Sequence, residues 1–66
     1  MGMIPKVQRL GAGKYRVHSG DEYVSVVAVY YLKIWYAKPK NSPDRFPFRT
    51  KRDAVDWAHD WLAEYA

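Results

Sequence analysis

Cationic and ring-bearing side chains recur at alternate positions in three stretches of this chain. Lys14, Arg16 and His18 alternate with Tyr15 and Val17. Tyr31, Lys33 and Trp35 share one parity inside an apolar run, and Arg45 and Arg49 bracket Phe46-Pro47-Phe48. A period of two puts such residues on one face of a strand. Phosphates are drawn to that charge, and rings or guanidinium planes stack on bases. A sheet carrying arginines can also enter the major groove, where arginine reads guanine. The expected chemistry is therefore docking of nucleic acid, duplex DNA above all, by Lys14, Arg16, Lys33, Trp35, Arg45 and Arg49. Lys38, Lys40, Lys51 and Arg52 would extend the contact to flanking backbone. The same cations could equally serve solubility and edge protection. Val27, Val29, Tyr31 and Trp35, also of odd parity, would then form an apolar patch for a host protein or a second copy.

Residues suited to covalent or metal chemistry are sparse. Cysteine is absent, which excludes disulfides and cysteine-rich zinc sites. Ser19, Ser25, Ser42 and Thr50 are the only aliphatic hydroxyls, and no base or orienting group is spaced to activate one. Gly11-Ala12-Gly13-Lys14 lacks the length and the following Ser/Thr of a phosphate-binding loop. Asp56, His59 and Asp60 fall close together, but a solvated acidic face accounts for them better than a metal. The expectation is a non-enzymatic protein with no metal, no cofactor and no small-molecule substrate.

Composition agrees with a small basic module. The chain has 66 residues, enough for one domain and one core spanning 1–66. At this size only about 60% of the unfolded surface can be buried. An aromatic content of 17%, with three Trp and six Tyr, compensates, because each ring buries much area. The net charge of +4 is unevenly spread. Residues 1–52 hold all eleven Lys and Arg against Asp21, Glu22 and Asp44, which is +8; residues 53–66 hold only Asp53, Asp56, Asp60 and Glu64, which is −4. A polyanion-facing body with an acidic end element is implied. The longest apolar stretch, Val24 to Leu32, is far below the ~20 residues of a membrane span. No targeting pattern is visible in Met1 to Lys6, and position 6 is not the Ser or Thr of a myristoylation motif. A cytoplasmic location is expected, the host's cytoplasm if the gene is viral.

These residues need elements to position them. Thr50 followed by Asp53 resembles a capping box, and Ala54, Val55, Trp57, Ala58, Trp61, Leu62 and Tyr65 share one face at 100° per residue. Arg52, Asp53, Asp56, His59, Asp60 and Glu64 lie opposite, so 50–65 is expected as an amphipathic helix. Tyr23 to Lys38 is β-rich and free of Gly and Pro. Its even positions are uniformly apolar and are expected to face the helix; the odd ones are mixed. Sixteen residues exceed an ordinary strand, which leaves one long bent strand or two joined near Tyr30–Leu32. Lys14–His18 forms another strand, ended by Ser19-Gly20-Asp21. Arg45–Arg49 reads as an edge strand because Pro47 cannot donate to a ladder. Lys6–Leu10 is a candidate for one more. The fold class is α+β: a three-stranded or four-stranded antiparallel sheet packed on one C-terminal amphipathic helix.

At Trp35-Tyr36-Ala37 and then Arg45-Phe46-Pro47-Phe48-Arg49-Thr50-Lys51-Arg52-Asp53-Ala54-Val55-Asp56-Trp57-Ala58, a family likeness emerges. The strand, F-x-T-K-x-x-A-x-x-W and helix pattern resembles the AP2-like, arm-type DNA-binding domain at the N-terminus of phage and transposon tyrosine integrases. Lys14-Tyr15-Arg16-Val17 is similar to the strand that opens those domains. The resemblance covers about half the chain. It implies a three-stranded sheet on a C-terminal helix, major-groove reading by the sheet, and contacts from Arg16, Lys33, Trp35, Arg45 and Arg49. The run from Tyr23 to Tyr36 is longer than that family's central hairpin, and no recombinase chemistry is implied for these 66 residues. A small phage accessory protein is the companion expectation.

Overall fold

The computed structural model describes residues 6–65. Five antiparallel strands follow one another as neighbours: β1 (Lys6–Gly11), β2 (Lys14–Ser19), β3 (Glu22–Val29), β4 (Ile34–Pro39) and β5 (Phe46–Phe48). One helix, α1 (Lys51–Tyr65), packs across one side of this meander. The α+β class is as expected, with more strands than the three or four foreseen. The extra strands come from β1 and from division of the 23–38 run.

Turn chemistry makes each reversal. Ala12 and Gly13 link β1 to β2, with Gly13 at φ 68°. The two-residue loop Gly20-Asp21 links β2 to β3, with positive φ at Gly20 only, as in a type II′ turn. The β3–β4 reversal has no glycine. A single 3-10 turn, Tyr30–Leu32, closes with Lys33 in the left-handed region at φ 55°, its N–H donating to the Tyr30 carbonyl at 3.1 Å.

That turn changes which residues face the helix. Val29 pairs with Ile34, so odd positions of β3 share a face with even positions of β4. The helix side therefore takes Val24, Val26 and Ala28 from β3, then Trp35, Ala37 and Pro39 from β4. The expectation that all even positions from Val24 to Tyr36 face the helix fails beyond the turn.

The core is small and dense. Val17, Val24, Val26, Ala37, Ala54 and Ala58 are fully buried, with Leu62 beside them. Ala54 and Ala58 let the helix approach the sheet closely, while Trp57 and Trp61 flank the contact. Trp57 packs against Phe46 and Phe48, at 4.9 and 5.8 Å between ring centroids. Tyr15 and Trp35 meet at 6.1 Å, and the Lys51 ammonium lies 3.8 Å from the Tyr15 ring centre. Thr50 caps the helix as expected, its Oγ1 accepting from the Asp53 N–H at 3.1 Å. The side chain of Tyr65, and Met1 to Pro5, lie outside the described residues. No helix among the described residues is long and apolar enough to cross a membrane.

Candidate functional site

The side of the sheet away from α1 carries no covering element among the described residues. Strand register puts its residues in rows. Gln8, Arg16, Ser25 and Lys38 form one row across β1 to β4. Lys14, Val27, Tyr36 and Pro47 form the next across β2 to β5. Lys6, His18 and Tyr23 lie in a row at one end, and Val29 and Ile34 pair at the other.

These rows make a trench. Ser25, Val27 and Val29 are successive open-side residues of β3, and their short side chains form its floor. Its hollow opens on the β4 side, against Tyr36, Lys38 and Arg45, while Lys14 and Arg16 of β2 are the register neighbours of Val27 and Ser25 on the other side of the floor. Its hollow, lined by Ser25, Val27, Val29, Tyr36, Lys38 and Arg45, has a volume of about 170 Å³.

Two arginines on this face lie over tyrosine rings. The Arg16 guanidinium carbon lies 4.3 Å from the Tyr23 ring centre, and that of Arg45 lies 4.6 Å from Tyr36. Such stacking fixes a side chain that would otherwise lose much rotamer freedom on binding. The Arg16 Nε is buried and has no acceptor among the described residues. Lys40, next to this end, donates to the Asp21 carbonyl at 3.0 Å. Among the described residues no carboxylate sits in the rows of this face. The acids Asp53, Asp56, Asp60 and Glu64 are on α1, on the far side of the sheet.

The structure brings together Lys14, Arg16 and Arg45 from the expected nucleic-acid set, and separates the others. Lys33 sits at the tip of the β3–β4 hairpin, exposed and off the rows. Trp35 points to the helix side, against Tyr15 and opposite Phe48 in register, because the turn reverses parity. Arg49 is exposed in the bend between β5 and α1. The apolar set divides likewise: Val27 and Val29 line the trench, Tyr31 is 86% exposed in the hairpin turn, and Trp35 is on the opposite face. Those four residues do not form one patch. Tyr36 and Lys38 occupy the positions expected for Trp35 and Lys33; Lys38 was expected only as a flanking contact, and the register across the unmarked turn is what brings both to the centre of the face.

No family model, no curated protein and no solved structure matches this chain. The likeness to integrase arm-type domains therefore rests on the quoted residues alone, and the five-stranded sheet exceeds the three strands that likeness implied.

Proposed function

We propose that this chain is a non-enzymatic nucleic-acid-binding module that docks phosphate backbone on the open side of its sheet. One observation carries the proposal: Lys14, Arg16, Lys38 and Arg45 share the open face, on either side of Ser25 and Val27, and no carboxylate among the described residues sits in the rows of that face. Cations so gathered release counterions when phosphates replace them, which drives association at low salt. Two of the four are arginines already ordered on tyrosine rings, so binding costs them little further entropy.

Self-association through the same face is the weaker alternative. A two-fold dimer would press this face against its own copy and bring the two cationic borders together. The apolar floor between them is narrow, and like charges desolvated together oppose the contact.

Fluorescence anisotropy with a labelled oligonucleotide at low salt tests the proposal. Expected is binding at micromolar affinity or tighter, with about four phosphate contacts and a log–log salt slope of roughly −3. Arg16→Gln with Lys38→Gln should lower both affinity and slope, the slope by about 1–2. An unchanged slope in a variant with native circular dichroism would reject the open face as the docking surface.

A further inference from the structure

The relief of the open face bears on which form of nucleic acid it holds. A sheet that reads a duplex must enter a groove and send side chains outward to reach base edges. Here the centre is the lowest part. Ser25, Val27 and Val29 lie along β3, and the long side chains Arg16, Lys38 and Arg45 stand at the borders. We propose that the trench along β3 binds a single strand of nucleic acid, with an unpaired base resting on Ser25 and Val27 and the adjoining phosphates held by Arg16 and Lys14 on one border and Lys38 and Arg45 on the other. This rests on the nucleic-acid reading above and narrows it to unpaired strands, away from the duplex DNA expected from sequence.

Dimensions agree. Lys14 and Arg16 on β2 and Tyr36 and Lys38 on β4 are two strand spacings apart, or about 10 Å, with Arg45 one strand further out at the start of β5. That width admits one strand but not a paired helix, whose major groove alone is about 12 Å wide. The hollow of about 170 Å³ is smaller than the ~300–1,000 Å³ of ordinary ligand pockets, so it suits one planar ring system and little more. Its floor is apolar apart from the Ser25 hydroxyl, which matches the face of a base; in a duplex that face is hidden in the stack. The flanking cations supply the complementary charge. Sequence preference should be slight, because the floor offers one hydroxyl and the borders offer charge and rings.

Anisotropy titrations of the full chain against three labelled probes distinguish the possibilities. The probes are an oligothymidylate of ~12 nucleotides, a duplex of the same length, and a poly-glutamate peptide. The single strand should bind about tenfold more tightly than the duplex, and poly-glutamate more weakly than either. Val27→Lys then separates a base on the floor from simple charge attraction. The substitution fills the trench while adding a cation, so attraction by charge alone would tighten every probe. A base on the floor instead predicts about tenfold weaker single-strand binding. Ser25→Lys repeats the test if Val27→Lys loses the native circular dichroism. Equal affinity for single strand and duplex, or tighter duplex binding, overturns the trench proposal but leaves backbone docking intact. Absence of binding to both nucleic acids overturns both proposals. Poly-glutamate binding as tight as the single strand would also overturn both, in favour of an acidic protein partner.

Discussion

Two residues in left-handed backbone, Gly13 and Lys33, show how single positions set this fold. Gly13 is buried at φ 68°, and a Cβ there would collide with the Tyr30 hydroxyl and lie 3.2 Å from the Ala28 Cβ. Its carbonyl also accepts the Ala28 N–H at 2.8 Å, which ties the β1–β2 turn to β3. The exposed Tyr30 ring can swing aside, so Gly13→Ala should cost the ~1–2 kcal/mol of a left-handed non-glycine residue, seen as a lower thermal midpoint by roughly 4–8 °C per kcal/mol. Lys33 presents the opposite case, a non-glycine residue held at φ 55°. Lys33→Gly relieves that strain and should raise stability by up to ~1 kcal/mol. Because Lys33 lies at the hairpin tip, the same change should leave affinity for the oligonucleotide essentially unaltered. A marked loss of affinity would place the hairpin tip in the interface and count against the trench.

At the level of elements, the helix was legible in the sequence and the central strands only half so. Thr50 and Asp53 mark the helix start, and alanines at 54 and 58 within a stripe of Trp and Leu mark its packing face. Thr50→Ala should cost ~1 kcal/mol, read from chemical denaturation, because the Asp53 N–H loses its acceptor. Ala58→Leu should cost more, about 1–3 kcal/mol, since a fully buried methyl against the sheet leaves no room for a larger group. The β3–β4 turn was only half legible: two strands joined near Tyr30–Leu32 is one of the two readings of the run, but nothing in Tyr30-Tyr31-Leu32-Lys33 is a turn former to decide for it. Its left-handed residue is a lysine, and its flanks are as apolar as the strands. A single alternation across 23–38 cannot carry through that reversal, which puts Trp35 on the helix side and Tyr36 and Lys38 on the open side. Positions before the turn were unaffected: Lys14, Arg16, Val27 and Val29 lie on the side that alternation assigned them. Arg45 was recovered because Phe46 and Phe48 fix the phase of β5 against Trp57 independently of the turn.

Across the whole molecule, the body of the protein separates the open-face cations from the helix carboxylates, although Lys51 and Arg52 lie on the helix with the latter. The trench cations lie on one side of the sheet, and Asp56, Asp60 and Glu64 lie on the helix at the other. The two shorter principal extents are 21 and 18 Å, which sets the scale of that separation. At ~0.15 M salt the screening length is about 8 Å, so the far-side carboxylates should barely be felt by a strand in the trench. At ~0.01 M it rises to about 30 Å, and their repulsion reaches through the protein. Asp60→Asn with Glu64→Gln should then tighten oligonucleotide binding at low salt and have no effect at physiological salt. Arg16→Gln with Lys38→Gln should weaken it at both. The contrast locates the docking surface without a structure of the complex, because contact charges are screened far less than distant ones. If both double variants shifted affinity comparably at ~0.15 M salt, the strand would be in contact with the helix as well as the sheet, and a docking site confined to the open face could not stand.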